Sequence, residues 1–542
     1  MTEIGAGFLT AMRTNLTPMM WALAMLGQAC FGQSYQASVQ VDPAKVIGKI
    51  EPEIYGQYLE HVNEEDECIY PAIWDNTSPK SDAMGLRKDV MAAAKEMKIP
   101  VVRWPGGCFA DVYHWENGIG PREGRPVLPN KHWGGNESHQ FGTDEFLQWS
   151  ATIGTKPYVN VNLGSGTLPE ALRWLEYCKG PASSEQGKRR AANGHAEPYK
   201  VPYWGIGNET WGEWETGHTD AVTYSKMLAE WATAMRKQDP SIKILAVGSN
   251  AGNDPKWDRE VLKQAGDKID YLTLHAYGSS TNDQPDEYEA VVFTPGYFDF
   301  VIRRMLKTID EHKAESGSKN DVRISMDEWN IRHFATGKGD FKKNLKRKDP
   351  RNVEDMLFVA GTMNVMLRHS PRVAMANYVF LVNGHAPLLV NADAVVKTPL
   401  YHVFRQYAEW MNGQSLEVLA DSPIVTTPPP KTGGMSHKSY PKNYDRKEAP
   451  LLDSAAALRE DGTLVISLIN RHRSDTAEVV LKLPPGYRVS KAWTMGDADA
   501  KAVNDFTNPE RVMPVAKEVT ETVASWTCAA RSVVLLSCEK AK

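Results

Sequence analysis

The chain has 542 residues, more than a single hydrophobic core usually covers, so we expect one large domain and a smaller one. Its formal net charge is −5 and charged residues make up 24% of it, which gives no sign of the extended basic face that nucleic-acid binding requires. We therefore expect a neutral or weakly acidic substrate and no nucleic-acid partner.

The first 37 residues differ in character from the rest of the chain. Arg13 precedes an apolar stretch over residues 19–32 that is interrupted only by Gln28 and is followed by small residues. This order is typical of a secretory signal peptide, and the stretch is too short for a membrane span, which needs ~20 apolar residues. We predict a leader over residues 1–37 and an exported chain, periplasmic or extracellular, with a disordered tail or a retained anchor as the alternatives.

The cysteines give no sign of a disulfide framework or a metal centre. Five of them remain after the predicted leader, an odd number without the spacing of metal ligands. We therefore expect no metal and no organic cofactor.

Residues 51–410 alternate short apolar segments with helical ones, a pattern that predicts parallel strands joined by helical crossovers. The eight predicted strands are residues 53–60, 100–106, 156–164, 201–209, 243–248, 270–277, 322–329 and 373–382. Predicted helices between them include residues 83–97, 143–152, 169–178, 221–237, 297–315 and 353–368. Eight strand–helix units predict an α/β fold, a (β/α)8 TIM barrel.

Residues 411–542 have a different pattern, with short alternating runs such as 463–469 and 477–483. A stretch rich in proline, lysine and serine, residues 426–447, is predicted to be an exposed loop. The runs predict a C-terminal antiparallel β-sandwich domain. Residues 38–50, which precede the barrel, are predicted to add a strand to that sandwich.

Polar side chains collect at the C-terminal ends of the predicted barrel strands, which form the working face of this fold. The fourth strand ends in Asn208 and Glu209, and the seventh in Glu328. The other polar strand ends hold Glu60, Arg103, Cys108, Asn162, His275 and Tyr277.

Glu209 and Glu328 form the pair of acids that glycoside hydrolysis needs. One carboxyl protonates the leaving oxygen, and the other attacks or stabilises the anomeric carbon. Across a barrel opening they would lie ~5–5.5 Å apart in a retaining enzyme, or ~6.5–9.5 Å apart in an inverting one. The sequence leaves this separation open.

The strand ends resemble those of the clan A glycoside hydrolases and, more closely, glycoside hydrolase family 51, the α-L-arabinofuranosidases. The resemblance runs from about residue 40 to the C-terminus and rests on several motifs that occur together. These are IYG at 54–56 with LEH at 59–61, RWPGG at 103–107, FGTDEF at 141–146, RRAANGH at 189–195 and YWGIGNE at 203–209.

The resemblance implies a role for each acid of a retaining double displacement. Glu209 would be the general acid/base, protonated when substrate arrives, and Glu328 the nucleophile. Arg103 would keep Glu328 ionised, with a structural ion pair as the alternative. Asn208 would bind the sugar 2-hydroxyl, and Glu60 other sugar hydroxyls.

The remaining candidates line the same predicted pocket. Period-two alternation puts His275 and Tyr277 on one face of the sixth strand, and the resemblance implies that they contact the acid/base and the nucleophile. A hydrogen-bonded core histidine is the alternative for His275. Asn162 and Trp329 are weaker candidates for the pocket wall. Glu213 and Glu215, in the loop after the fourth strand, are expected to be solvated, with contact to substrate as the alternative.

Two residues differ in type from those that the family resemblance leads us to expect. The resemblance leads us to expect strong hydrogen-bonding side chains where this chain has Cys108 and Phe380. Cys108 would still pack against the sugar or bond weakly through its thiol. The alternative is that the preferred sugar has shifted.

Together these observations predict a secreted, retaining, exo-acting α-L-arabinofuranosidase. It would release terminal arabinofuranose from plant polysaccharides and oligosaccharides that contain arabinose. A β-xylosidase or an endo-β-1,4-glucanase of the same family is the alternative enzyme, and a non-catalytic carbohydrate-binding protein is the alternative of another class. Whether the chain forms a homo-oligomer stays open.

Overall fold

The computed structural model describes residues 33–62, 68–252, 254–281, 287–335, 346–426 and 448–540. The predicted leader lies outside these residues except for its last five, and the loop predicted over residues 426–447 lies outside them except for its first. In the described part of the chain, no helix is both long and apolar enough to cross a membrane.

The described strands number twenty-four. They are β1 (Ser34–Lys49), β2 (Gly56–Tyr58), β3 (Val101–Trp104), β4 (Leu128–Pro129), β5 (Asn136–Glu137), β6 (Lys156–Val161), β7 (Tyr203–Ile206), β8 (Lys243–Ala246), β9 (Tyr271–Thr281), β10 (Arg323–Ala335), β11 (Lys346–Lys348), β12 (Val373–Tyr378), β13 (Leu388–Val390), β14 (Val395–Lys397), β15 (Gln414–Asp421), β16 (Ile424–Thr426), β17 (Glu448–Pro450), β18 (Leu452–Leu458), β19 (Leu464–Asn470), β20 (Thr476–Lys482), β21 (Tyr487–Gly496), β22 (Val515–Glu518), β23 (Ser525–Cys528) and β24 (Ser532–Lys540).

The α-helices follow the strands in the predicted alternation. They are α1 (Lys88–Glu96), α2 (Thr143–Ile153), α3 (Leu168–Lys179), α4 (Glu185–Ala192), α5 (Ala221–Gln238), α6 (Pro255–Ala265), α7 (Glu287–Val292), α8 (Pro295–Ser316), α9 (Val353–Arg368) and α10 (Pro399–Trp410). Short 3₁₀ helices lie at Pro52–Tyr55, Cys108–Val112, Trp115–Gly118, Arg122–Gly124 and Asn250–Gly252.

Eight parallel strands close into a barrel. Their order is β10-β12-β2-β3-β6-β7-β8-β9, and pairing of β9 with β10 completes the circle. Each lies within or overlaps one of the eight predicted segments, so the predicted (β/α)8 TIM barrel is confirmed. β9 and β10 run further than predicted, to Thr281 and Ala335, and β11 pairs with the end of β10.

Side-chain alternation along the strands fills the barrel and places the site above the filling. An apolar cluster inside the barrel combines Val101, Tyr158, Tyr203, Leu245, Tyr271, Ala374 and Met375 from six strands. On β6, Tyr158 belongs to this inner cluster, whereas Val159 and Val161 belong to the larger core that includes the helices. Polar groups at the strand ends therefore rest on a packed floor.

The C-terminal strands form the predicted sandwich as one mostly antiparallel sheet around a second core. Its order is β22-β21-β24-β19-β18-β15-β1-β20-β23. β1 pairs antiparallel with β15 and parallel with β20. It begins at Ser34, four residues before the predicted strand.

Helix α9 joins the two domains. Fifteen of its sixteen residues are buried, because the barrel and the C-terminal sheet cover it from different sides. Asn364 and Arg368 on this helix bond the carboxylate of Asp453 on β18 at 2.9 and 3.0 Å. The two domains therefore share a buried polar contact as well as an apolar one.

Candidate active site

Glu209 and Glu328 both face into the C-terminal end of the barrel. Glu209 follows β7, with Gly205 and Gly207 before it, and adopts the left-handed conformation at φ +40°. That conformation costs a non-glycine residue about 1–3 kcal/mol and is concentrated at functional sites. The strain turns the Glu209 carboxyl into the barrel opening.

A shared histidine joins the two acids. His275 Nδ1 lies 2.8 Å from Glu209 Oε1 and 3.4 Å from Glu328 Oε2. One carboxylate oxygen of Glu209 and one of Glu328 lie within 4.8 Å of each other. Carboxylates whose oxygens approach this closely fit the ~5–5.5 Å carboxyl separation of retaining enzymes better than the ~6.5–9.5 Å of inverting ones.

Buried partners orient Glu328 from two sides. Arg103 donates to Oε1 at 2.8 Å, and the Tyr277 hydroxyl donates to Oε2 at 2.8 Å. Arg103 also donates to Asn208 Oδ1 at 2.8 Å. The guanidinium, which is 1% exposed, therefore ties the fourth strand end to the seventh.

Asp327 is a third acid beneath the pair, and the sequence analysis missed it. Its carboxylate lies 3.2 Å from His275 Nε2 and accepts from the Tyr158 hydroxyl at 2.9 Å. The pairing of β10 shifts register between Ser325 and Glu328, a bulge that lets two consecutive acids serve the barrel interior. Period-two alternation of side chains, which was the basis of the sequence prediction, therefore does not identify Asp327.

Charge around His275 keeps its ring protonated. Burial alone would lower the pKa of this histidine, but the carboxylates of Glu328 and Asp327 outweigh burial and raise it to about 10. Burial likewise opposes the charged form of Asp327, yet Arg103 and His275 lower its pKa below the usual range. His275 is thus an imidazolium in contact with both candidate catalytic acids.

Glu60 is held by the turn that follows β3. Its Oε1 accepts from the backbone N–H groups of Gly107 and Phe109 at 2.9 and 3.0 Å, and its Oε2 accepts from Tyr58 at 3.1 Å. Burial and the charge of Glu328 raise the pKa of Glu60 to about 7.

Glu215 is buried at 5% exposure, so the expectation that it is solvated is wrong. Its Oε1 accepts from Asn208 Nδ2 at 3.1 Å and from Cys108 Sγ at 2.8 Å. Burial and the nearby charge of Glu209 raise its pKa to about 9. The loop folds back over the strand ends, a path that local sequence does not encode, whereas Glu213 is exposed as expected.

Two predicted pocket-wall residues do not serve the pocket. Trp329 is fully buried and packs against Phe298, Phe358, Tyr378 and Phe404 on the helix side of β10, because alternation turns it away from Glu328. The Asn162 amide bonds the loop itself, donating to Tyr113 O and Ser165 Oγ and accepting from the N–H groups of Ser165 and Gly166. The structure thus turns Trp329 away from the acids and gives the Asn162 amide no contact with either of them.

Two aromatic side chains complete the surroundings of the acids. Trp214, 56% exposed, donates its indole N–H to Glu209 Oε2 at 3.1 Å. Phe380 is buried, and its ring lies 5.6 Å from that of Tyr58. Trp214 was missed because it lies in a loop where neither periodicity nor a quoted motif singled it out.

Comparison with known proteins gives consistent matches. Residues 93–291 match the α-L-arabinofuranosidase 1 domain, and residues 327–532 match the α-L-arabinofuranosidase C-terminal domain. α-L-Arabinofuranosidase C of Emericella nidulans is 34% identical over 463 residues, which cover 83% of this chain and 87% of that protein. The intracellular exo-α-(1→5)-L-arabinofuranosidase 1 of Bacillus subtilis is 30% identical over 491 residues, which cover 88% and 93%.

A solved structure extends the similarity to the fold. The crystal structure of the Thermotoga maritima α-L-arabinofuranosidase in complex with arabinose superposes with a TM-score of 0.81 at 33% identity. The match covers 92% of this chain and 99% of that one. The barrel and the C-terminal sheet are therefore both shared with it.

Substitution of Gly107 by alanine should disable the site without unfolding the chain. An added Cβ would lie 2.5 Å from Glu328 Oε1 and 2.7 Å from the Tyr58 hydroxyl, so the carboxylate must move. We expect kcat on an aryl α-L-arabinofuranoside to fall by about 100-fold, as misplacement by about 1 Å brings. Gly124→Ala, whose Cβ would meet nothing within 4 Å, is the matched control. Normal turnover by Gly107→Ala would contradict the geometry.

Replacement of His275 by glutamine should change how stability depends on pH. Because folding raises the His275 pKa from 6.5 to about 10, its contribution is complete below pH 6.5 and is lost as the pH rises towards 10. The melting-temperature difference between wild type and His275→Gln should therefore shrink steadily over this interval. A difference that stays constant from pH 6 to about 10 would show that His275 is neutral in the fold.

Proposed function

We propose that the chain, which belongs to glycoside hydrolase family 51, the α-L-arabinofuranosidases, releases terminal arabinofuranose from plant polysaccharides and oligosaccharides that contain arabinose. The observation that carries the proposal is the closely spaced pair of carboxylates, Glu209 and Glu328, which share Nδ1 of the His275 imidazolium.

The proposed reaction is a double displacement with retention. Glu328 attacks the anomeric carbon while Glu209 gives its proton to the leaving oxygen, which breaks the glycosidic bond and forms a glycosyl ester. Glu209 then takes a proton from water, and that water displaces Glu328. The spacing within 4.8 Å supports this sequence, because direct attack needs no water between the acids.

His275 balances charge between the two half-reactions. Before attack the negative charge resides on Glu328, and after attack it resides on Glu209, which must then act as base. The imidazolium ring lies 2.8 and 3.4 Å from the two carboxylates, so it stabilises either state without moving far. Arg103 and Tyr277 remain on Glu328 and hold its oxygens in line.

Side chains next to the two acids bind the sugar hydroxyls in this proposal. Asn208 is fixed between Arg103 and Glu215, and we assign its amide to the sugar 2-hydroxyl, a contact that strengthens as oxocarbenium character develops. Glu60, held by the backbone of the β3 turn, accepts from other hydroxyls. Cys108 is placed beside them by its contact with Glu215.

Exo-action on arabinofuranosides is the finer part of the proposal. It is supported by the Bacillus subtilis relative, whose name specifies an exo-α-(1→5)-L-arabinofuranosidase. That name also specifies an intracellular protein, so export here depends only on the pattern of residues 1–37 and stays a prediction. Whether the chain assembles into a homo-oligomer stays open.

Removal of the Glu209 carboxyl should separate substrates by their leaving group. Glu209→Ala should lose most activity on oligosaccharides, whose leaving groups need a proton, and less on activated aryl arabinofuranosides, with azide restoring turnover. Glu213→Ala, an exposed acid of the same loop, is the control and should behave as wild type. Equal losses on both substrate classes would argue against the acid/base role.

A comparison of sugars tests the substrate. Aryl α-L-arabinofuranoside, aryl β-D-xyloside and a soluble β-1,4-glucan should be offered to the same preparation, with kcat/KM as the readout. We expect kcat/KM for the arabinofuranoside to exceed the others by more than about 100-fold, because a wrong sugar leaves hydrogen-bonding groups of the site unpaired. A preference for xyloside or glucan would replace the proposed substrate and leave the retaining chemistry intact.

A further inference from the structure

We propose that Cys108, His132 and Glu215 form a binding site for a zinc-class divalent cation at the opening of the barrel, and that a cation bound there inhibits the enzyme. The inhibitory part rests on the proposed function, whereas the binding part does not. Nothing in the family similarity assigns a metal to these residues.

Three separate segments bring the ligands together. Cys108 lies in the turn after β3, His132 in the loop between β4 and β5, and Glu215 in the loop after β7. One ligand atom from each lies within 4.8 Å of the other two. The residues are distant in sequence, which explains why cysteine spacing alone gave no sign of a metal site.

The donor set selects the class of cation. A thiolate, an imidazole nitrogen and a carboxylate oxygen suit zinc and its softer neighbours, and do not suit magnesium or calcium. Tetrahedral zinc, with bonds of ~2.0–2.3 Å, separates its sulfur and oxygen ligands by about 3.5 Å. Cys108 Sγ donates to Glu215 Oε1 at 2.8 Å. When the cation enters, the Cys108 thiol and the Glu215 carboxyl, whose pKa is raised to about 9, both release their protons to solvent, and the two ligand atoms move slightly apart.

Glu215 has a buried carboxylate oxygen without a hydrogen-bond partner, which points to a missing ligand independently of the cluster's geometry. It is 5% exposed, and its Oε2 is buried without a hydrogen-bond partner. In the described part of the chain no arginine, lysine or histidine forms an ion pair with it. A buried carboxyl that leaves an oxygen unmatched is costly, and a cation would remove that cost.

The other acid cluster at this opening suits a cation less well. Glu209, His275 and Glu328 also lie within 4.8 Å of one another, but the guanidinium of Arg103 already bonds Glu328 at 2.8 Å. A divalent cation there would meet two positive groups, Arg103 and the His275 ring. Among the described residues no arginine or lysine is hydrogen-bonded to Cys108, His132 or Glu215, and the exposed Lys131 acts on His132 only through its charge.

Inhibition follows from the neighbours of the cation. Glu215 Oε1 accepts from Asn208 Nδ2, the amide assigned to the sugar 2-hydroxyl. A cation that takes this oxygen removes one of the two contacts that hold Asn208, and its own bulk occupies the approach to the acids. We expect inhibition that rises with zinc concentration and is relieved by substrate.

Direct binding tests the site independently of activity. The full chain, stripped with a chelator, is titrated with zinc chloride by isothermal calorimetry, and anomalous diffraction locates the ion. We expect one bound zinc between Cys108 and Glu215, and binding weakened by more than about 10-fold in His132→Ala and in Cys108→Ser. His218→Ala, an exposed histidine three residues after Glu215, is the matched control and should bind as wild type. No binding, or equal binding by His132→Ala, overturns the site.

Inhibition kinetics with zinc test the effect of the cation on turnover separately from its binding. Zinc should raise KM more than it lowers kcat on an aryl arabinofuranoside, a chelator should reverse the effect, and His132→Ala should need at least about 10-fold more zinc for the same inhibition. Zinc bound at the site without inhibition overturns the inhibitory part. Zinc bound at the site of a chain that cleaves none of the tested glycosides would refute the proposed function and leave the cation site standing.

Discussion

The buried guanidinium of Arg103 is the interaction on which the active site depends. It contacts Glu328 and Asn208 at 2.8 Å each, lies 3.6 Å from Asp327, and is flanked by the rings of Tyr58 and Tyr158. Burial disfavours its charge, but the surrounding anions outweigh burial and raise its pKa further. Without this cation, Asp327 and Glu328 would be buried like charges with only His275 between them, a state that costs several kcal/mol.

The backbone near this cation packs closely against the acids. Gly106 approaches Glu60 and Gly107 approaches Glu328 so closely that a Cβ at either would lie within 2.5 Å of the acid's atoms. Glu209 keeps its left-handed conformation because His275 and Trp214 hold its two oxygens. The absence of a Cβ at these two glycines therefore lets the acids lie close to the strand ends. A site built on strands in this way is organised before substrate arrives.

Periodicity was a sufficient guide wherever strands are regular. All eight barrel strands were predicted, as was the shared inward face of His275 and Tyr277. The failures have local physical causes. The bulge before Glu328 brings Asp327 inward, and alternation after it turns Trp329 outward. Glu215 and Trp214 approach the acids from a loop whose path depends on tertiary contacts. The side-chain amide of Asn162 is hydrogen-bonded within its own loop. Residue type and spacing carry none of this information.

Glu209 and Glu328 lie close enough for Glu328 to attack the anomeric carbon without an intervening water. The stereochemistry of the first product shows whether it does so. Proton NMR can follow the anomeric signals of an aryl α-L-arabinofuranoside during the first turnovers, before mutarotation mixes the anomers. We expect α-L-arabinose to appear first and the β-anomer only later, by mutarotation. Initial release of the β-anomer would contradict it, because inversion requires a water molecule between carboxyls that lie ~6.5–9.5 Å apart.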